Sequence, residues 1–287
     1  MIDQKIINLF DEYTHKPLSR QEFISRLVKM TGSLSAALSI LPLLEVNAEK
    51  AVTVAENDLE IRSEEVSYSS KAGEIKAYFS SPAKVKKAGT VLVIHENRGL
   101  NEHIRDVARR VAKAGYLALA PDALSLSGGT PKEEDKAREF ISQLDPEINL
   151  QNFLSGLSFL RKHPHGNGKT ATVGFCWGGA MSNQLAVHDP ALNAAVVFYG
   201  KQPDVKEVDK IKAKLQFHYA GLDERINQGI SVYEEALKAR HISYESYLYE
   251  GMQHAFHNDT SAARYNESAA KLAWERTLTF FKQQIQI

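Results

Sequence analysis

The sequence contains one cysteine, Cys176, among 287 residues. A single cysteine cannot form an intramolecular disulfide, a CxxC redox pair or a Cys-rich zinc site. Lysine and arginine (35) balance aspartate and glutamate (35), so the positive charge typical of nucleic-acid binding is missing. No apolar run approaches the ~18 residues of a transmembrane helix. We therefore predict a protein with no nucleic-acid or membrane partner, no bound metal and no cofactor.

Residues 1–59 differ in pattern from the rest of the chain. Basic residues precede a mildly apolar run over residues 30–44, and Val46 and Ala48 suit a signal-peptide cleavage site. The stretch "SRQEF" resembles a twin-arginine export signal, although Gln21 stands where the second arginine is expected. The alternative is an amphipathic helix that packs on the main domain or on a partner subunit. We predict a cytoplasmic protein, with export as the alternative.

Residues 60–287 show the alternation of strands and helices that is typical of one α/β domain. Two alternating segments around Lys71-Ala72-Gly73 predict an antiparallel hairpin. Continuous apolar runs such as "TVLVIHE" then alternate with helical patterns to the end of the chain. This pattern predicts a doubly wound, mostly parallel sheet with helices on both faces. Ligands of such sheets bind beyond the carboxyl ends of the strands.

Cys176 lies in "VGFCWGG", directly after a predicted strand and before a predicted helix. Gly174 and Gly178 stand two residues before and two after it, as in the nucleophile elbow of α/β-hydrolases. Side chains at those two positions would collide with neighbouring backbone in such a sharp turn. A thiol at a helix N-terminus is stabilised as the thiolate, and the Trp177 amide would face a developing oxyanion. The alternative is a buried, unreactive cysteine.

A thiol nucleophile needs a base and a carboxylate that orients the base. Asp223 and His254 both follow predicted strands, in the chain order nucleophile, acid, histidine. We expect His254 to accept the thiol proton and Asp223 to fix the tautomer of His254. Asp223 would also suit the N-cap of a following helix, and His254 with His257 would suit a metal pair, although no ligand cluster accompanies them.

Glu96 ends the strand "TVLVIHE", before the first crossover helix. The turn at that point commonly supplies a second oxyanion donor, here the amide of Asn97. From the residues alone, Glu96 is better explained as a carboxylate near a helix N-terminus, paired with Arg98.

Together, "HENRGLNEHIRDVARRVAKAGYLALAPD", "VGFCWGGAMSNQLA", "AGLDERI" and "YEGMQHAFHND" resemble the dienelactone hydrolase (carboxymethylenebutenolidase) family from about residue 64 onward. The resemblance implies an α/β-hydrolase fold and a triad of Cys176, His254 and Asp223. It also implies that Glu96 interacts with the cysteine and helps to activate it. Asn97 and Trp177 would then form the oxyanion hole.

Two positions depart from the muconate-cycle members of this family, which bind a substrate carboxylate with two arginines. Leu126 and Asn258 stand where those arginines are expected, and neither can form a bidentate, charge-assisted contact. The sequence does not show whether Arg98, Arg225 or Arg264 substitutes, so the substrate-binding residues stay unknown at this stage.

We therefore predict a cysteine-dependent hydrolase of carboxylic esters or lactones that acts through a thioester, with a small-molecule substrate other than the muconate-pathway dienelactone. A non-catalytic α/β-hydrolase scaffold is the main alternative, and a thiol redox sensor is a weaker one because the chain has no second cysteine. A homo-oligomer is compatible with the sequence.

Overall fold

A computed structural model describes residues 2–16, 18–45 and 52–286 of the chain. Val46 and Ala48 lie outside the described residues. The described strands are, in chain order, β1 (Ile61–Ser70), β2 (Gly73–Pro82), β3 (Ala88–Ile94), β4 (Leu117–Pro121), β5 (Gly166–Phe175), β6 (Ala194–Phe198), β7 (Lys214–Ala220) and β8 (Tyr244–Tyr249). The described helices are α1 (Gln4–His15), α2 (Arg20–Thr31), α3 (Leu34–Leu44), α4 (Glu102–Lys113), α5 (Glu134–Ser142), α6 (Pro146–Arg161), α7 (Trp177–His188), α8 (Glu224–Asn227), α9 (Ile230–Ala239) and α10 (Glu267–Ile285).

The strands form one mixed sheet in the order β1-β2-β4-β3-β5-β6-β7-β8. β1 and β2 form the antiparallel hairpin, and β2 also runs antiparallel to β4. All other neighbouring strands are parallel, with helical crossovers between them. The fold class predicted from the sequence is confirmed.

Each face of the sheet has its own apolar core. Leu157, Leu185 and Leu237 from α6, α7 and α9 are fully buried on one face. Val107 from α4 and Phe281 from α10 are fully buried on the other. β3 is buried along its whole length, which explains its uninterrupted apolar sequence. This sandwich holds the carboxyl ends of β3, β5, β7 and β8 in fixed positions at one edge.

Helices α1, α2 and α3 surround an apolar cluster of their own, in which Phe23 and Leu27 are fully buried. The side chains of Asp3, Ser19 and Ser33 each accept a hydrogen bond from a backbone amide at the start of a helix. No single helix of the described residues has the length and hydropathy of a membrane span. Only α2 and α3 taken together are long and apolar enough for a span, and the two helices are bent by 114° relative to each other.

Polar contacts attach helix α1 to the domain that carries the sheet. The Tyr13 hydroxyl donates to Asp135 at 2.7 Å, and Arg138 donates to the Tyr13 carbonyl at 2.9 Å. The Arg138 guanidinium also lies 4.1 Å from the centre of the Tyr13 ring, in cation–π contact. The Asn97 side chain donates to the Thr14 carbonyl at 2.7 Å. The C-terminal end of α1 is thereby held against the carboxyl edge of the sheet.

Candidate active site

Cys176 forms the turn between the end of β5 and the first residue of α7. Its φ of 55° lies in the left-handed region that side chains with a β-carbon rarely adopt. The Cys176 amide donates to the Phe198 carbonyl at 3.0 Å, which ties the turn to the neighbouring strand. Strained residues of this kind are concentrated at functional sites. The turn places the sulfur at the N-terminus of α7, where the helix dipole favours negative charge.

Gly174 and Gly178 permit this turn because the backbone on both sides is in close contact. A β-carbon on Gly174 would overlap the carbonyl group of Gly178. A β-carbon on Gly178 would overlap the carbonyl oxygens of Ile94 and His95 at the end of β3. The two glycines therefore allow α7 to start directly above β3 and β5.

His254 lies in the loop after β8, and Asp223 follows β7. The His254 Nδ1 donates to the Asp223 Oδ2 at 2.5 Å, and both side chains are buried. The other ring nitrogen, Nε2, is buried and has no hydrogen-bond partner in the described part of the chain. Asp223 Oδ1 also accepts from the Ile226 amide at 3.3 Å, so this carboxylate caps α8 as well as orienting His254. The two roles considered for Asp223 are compatible.

A second imidazole, which the sequence analysis did not single out, reaches Cys176 from helix α1. The His15 Nε2 lies 3.2 Å from the Cys176 Sγ. On the other side of the ring, Nδ1 lies 2.9 Å from the Asp11 carbonyl oxygen and 3.2 Å from the Asp11 Oδ1. The rings of His15 and His254 meet edge to face, with their centres 4.6 Å apart.

The Cys176 Sγ, a nitrogen of His15 and a nitrogen of His254 all lie within 4.8 Å of one another. Burial alone would raise the pKa of the Cys176 thiol, but the imidazoles of His15 and His254 lower it to about 6. Burial would lower the pKa of His254, but the Asp223 carboxylate and the Cys176 sulfur raise it to about 10. Between these two values the arrangement favours a thiolate beside an imidazolium.

One sulfur and two imidazole nitrogens are also donors that a zinc ion accepts, and three such ligands match the number in a catalytic zinc site but not the four of a closed structural site. His257 does not join them. It is buried among aromatic rings, with its own ring centre 5.2 Å from that of Phe175 and 5.6 Å from that of Trp274. His254 and His257 therefore do not form a metal pair, and the three grouped atoms are better suited to proton transfer.

Glu96 and Asn97 lie at the end of β3, beside the elbow. The Glu96 Oε2 accepts a hydrogen bond from the Asn258 side chain at 2.7 Å, and Oε1 has no partner among the described residues. Burial would raise the pKa of Glu96, but Arg98 and other nearby positive charges lower it, so the carboxylate is ionised. Trp177 begins α7, so helix geometry leaves its amide without an acceptor within the helix.

A groove of about 400 Å³ lies between α1 and the loops after β7 and β8. Asp11 and His15 line it from α1, and Asp223, Arg225 and His254 line it from the domain. Both imidazoles therefore border one open volume of a size that suits a small ligand.

Three comparisons place the chain among known proteins. Residues 75–285 match the model of the dienelactone hydrolase family. The chain belongs to the dienelactone hydrolase family. A putative carboxymethylenebutenolidase of Saccharolobus solfataricus is 31% identical over 76% of this chain and 98% of that protein. Another, from Methylorubrum extorquens, is 30% identical over 93% of this chain and 96% of that protein.

A crystal structure of a putative dienelactone hydrolase from Klebsiella pneumoniae superimposes with a TM-score of 0.71. It is 30% identical and covers 78% of this chain and 99% of that chain. The predicted family and α/β-hydrolase fold are confirmed, and the chain is a hydrolase of the dienelactone hydrolase type. The similarity to the Methylorubrum protein extends into the first 59 residues, because 93% of the chain exceeds the share formed by residues 60–287.

The structure also places the two positions where the muconate-cycle dienelactone hydrolases carry arginine. Leu126 is 45% exposed and lies against Gly73 of the β1–β2 hairpin. Asn258 is fully buried and directs its amide to Glu96. Neither side chain lines the groove beside His15 and His254.

The three candidate replacement arginines differ in position. Arg98 is buried with its Nε 3.1 Å from the Glu134 carboxylate. Arg264 is buried with Nη1 3.8 Å from the Asp11 Oδ1. Arg225 and Arg264 both border the groove, and the Arg225 Nη2 lies 3.5 Å from the His254 Nδ1. Two of the three are thus engaged by carboxylates of this chain.

Sequence reasoning overlooked His15 and Asp11. Their spacing of four residues places them on one face of a helix, which is a weak signal because many helices carry such pairs. The contact with Cys176 joins residues 161 positions apart and depends on how α1 docks on the domain.

Proposed function

We propose that this member of the dienelactone hydrolase family hydrolyses carboxylic esters or lactones through a thioester formed on Cys176. The observation that supports it most strongly is the convergence of the Cys176 sulfur with the imidazole of His254, which is itself oriented by Asp223. A sulfur held at a helix N-terminus beside two imidazoles has the environment that activates cysteine nucleophiles.

In the first half of the reaction, the Cys176 thiolate attacks the carbonyl carbon and a C–S bond forms. The carbonyl oxygen becomes an oxyanion, for which the amides of Asn97 and Trp177 are the proposed donors. The intermediate collapses, the bond to the alcohol oxygen breaks, and the His254 imidazolium gives its proton to the departing alkoxide. Asp223 keeps Nδ1 of His254 protonated, so that the proton leaves from Nε2.

In the second half, neutral His254 accepts a proton from water as the water oxygen attacks the thioester carbonyl. The C–S bond then breaks, the carboxylic acid leaves, and the thiolate and imidazolium are restored. The ionised Glu96 lies close to this centre and is held by Asn258. We propose that the negative charge of Glu96 influences the charge state of the Cys176 sulfur.

Rapid mixing with p-nitrophenyl acetate, followed by acid quenching and mass spectrometry, tests the covalent step. We expect a mass increase of one acetyl group on the peptide that contains Cys176, together with a burst of p-nitrophenol equal to the enzyme concentration. The Cys176→Ala protein should show neither the acetylated peptide nor turnover above the background rate.

The Cys176→Ser protein is the matched control. Serine has nearly the same volume as cysteine, but the pKa of its hydroxyl stays far above that of the Cys176 thiol. We expect it to turn over much more slowly than the wild-type protein. Turnover by Cys176→Ala at the wild-type rate would contradict the proposal and support a scaffold function for this fold.

The substrate we propose is an ester or lactone that does not depend on an arginine clamp. A carboxylate held by charge-assisted hydrogen bonds gains about 1.5–3 kcal/mol per bond, which is tenfold or more in binding. Because Leu126 and Asn258 cannot form such contacts with a carboxylate, we expect kcat/KM for a dienelactone to be no higher than for its methyl ester.

Steady-state kinetics on the acid and its methyl ester measure this preference directly, because the two substrates share the scissile bond. A preference of more than tenfold for the free acid would contradict the expectation. It would then implicate Arg225 or Arg264, the two arginines that border the groove.

A further inference from the structure

Helix α1 brings a complete acid–base pair to the nucleophile from outside the sheet domain. The His15 Nε2 lies 3.2 Å from the Cys176 Sγ, and the His15 Nδ1 contacts Asp11. The arrangement parallels that of His254 and Asp223, which approach the same sulfur from the loops after β8 and β7. Two imidazole–aspartate pairs therefore meet at one thiol.

We propose that His15, positioned by Asp11, is a second catalytic histidine that holds Cys176 as a thiolate before substrate attack. Helix α1 would then be part of the active site of the enzyme. This inference rests on the proposed role of Cys176 as the nucleophile, and it adds a residue that lies outside the triad.

The ends of two helices supply the first physical reason. Cys176 stands at the N-terminus of α7, where the helix dipole stabilises an anion. His15 is the last residue of α1, where the dipole stabilises a cation. The dipole of α7 therefore stabilises the anionic sulfur, and the dipole of α1 stabilises the cationic imidazole beside it.

The hydrogen bonds supply the second reason. The His15 Nδ1 lies 2.9 Å from the Asp11 carbonyl oxygen and 3.2 Å from the Asp11 Oδ1, so the ring presents Nε2 to the sulfur, at a distance suited to a charge-assisted N–H···S contact. His254 Nε2, by contrast, makes no hydrogen bond of standard geometry among the described residues, although the His254 ring is near enough to the sulfur to lower the pKa of the thiol. The two histidines therefore have different roles. His15 stabilises the resting thiolate, and His254 transfers protons to the leaving group and from the water.

The groups that face this ion pair come from several elements, and their charges are mixed. Negative groups are supplied by α1 and by the segments after β3 and β7, and positive groups by α1, α8 and the loop before α10. They are Asp11, Glu12, Lys16, Glu96, Asp223, Arg225, His254 and Arg264, with the buried hydroxyl of Tyr199 beside them. No single positive group among them replaces His15, because it is His15 that lies at hydrogen-bond distance from the sulfur.

The test is the pH dependence of Cys176 alkylation by iodoacetamide in the full-length protein, followed by mass spectrometry. In the wild-type protein we expect the rate to reach half of its maximum near pH 6, because the thiolate is the reactive form. A cation stabilises the thiolate and lowers its pKa, so removing the cation must move the midpoint upward. For His15→Ala we expect an upward shift of about one pH unit or more.

Three further measurements make the result specific. The Asp11→Asn protein should shift in the same direction by a smaller amount, because its imidazole is still present. Added imidazole should restore part of the alkylation rate of His15→Ala at pH 6, through the groove beside His254. His188→Ala serves as the matched control, since His188 is at the far end of α7, near Glu207. It should retain the wild-type midpoint.

The steady-state rates separate this inference from the proposed function. If Cys176→Ala is inactive and His15→Ala keeps the wild-type midpoint and kcat/KM, the second histidine is refuted and the cysteine mechanism stands. If Cys176→Ala is fully active, the cysteine mechanism itself fails. If His15→Ala is faster than wild type at every pH, α1 blocks the site, which also refutes a catalytic role for His15.

Discussion

Replacing His254 with alanine is expected to lower kcat/KM for p-nitrophenyl acetate by about three orders of magnitude. General acid–base catalysis by a positioned histidine contributes roughly 10²–10⁴ in rate. In the proposed mechanism His254 protonates the leaving alkoxide and then activates water, so both halves of the reaction would depend on it. Stopped-flow and steady-state kinetics at pH 7 measure the loss.

Asp223→Asn tests how His254 is oriented. The Asp223 carboxylate accepts the Nδ1 proton of His254 at 2.5 Å, and an amide of similar size can offer a donor in its place. The imidazole would then take the wrong tautomer, and we expect a loss of about 10²-fold or more. His165→Ala, at an exposed position, should retain wild-type kinetics.

For His254→Ala, retention of more than one tenth of the wild-type kcat/KM would contradict the role assigned to His254.

The two histidines predict opposite phenotypes when alkylation and turnover are measured side by side. His254→Ala keeps the His15 contact with the sulfur, so much of its alkylation at neutral pH should survive while its turnover is lost. His15→Ala should lose alkylation at low pH but recover both alkylation and turnover as the pH rises. If His254 alone served both functions, His254→Ala would lose both alkylation and turnover, and His15→Ala would keep both.

Much of the fold and of the proposed triad could be predicted because each part leaves a local signal. The run "TVLVIHE" is apolar because β3 is buried on both faces. Gly174 is required by a backbone contact within the elbow, and Gly178 by a backbone contact with the end of β3. Asp223 and His254 follow strands whose carboxyl ends meet at the same edge of the sheet, so their order in the chain was informative.

The contribution of α1 left no comparable signal. Residues 1–59 have an apolar run and basic residues that fit an export signal or a packing helix equally well, and local periodicity cannot show which surface a helix covers. The position of Asn258 shows the same limit. Its identity showed that one of the two expected arginines is replaced, but its hydrogen bond to Glu96 depends on the loop after β8 folding back over β3.

Gly178→Ala is expected to destabilise the protein by about 3 kcal/mol or more, because overpacking against rigid backbone cannot be relieved by a side-chain rotation. The added methyl group would overlap the carbonyl oxygens of Ile94 and His95. α7 would have to move away from β3, which carries Glu96 and Asn97 at its end. At 2–4 °C per kcal/mol for a domain of this size, we expect Tm to fall by roughly 6–12 °C.

Gly168→Ala is the matched control for this effect. Gly168 has a φ of +86° and no described atom within 4 Å of an added β-carbon, so alanine there brings backbone strain without overlap. That strain costs about 1–2 kcal/mol, and Tm should fall by only a few degrees, with activity unchanged. A Gly178→Ala protein as stable and active as Gly168→Ala would mean that the elbow is not packed against β3. The sulfur would then not be held at the position on which the proposed chemistry depends.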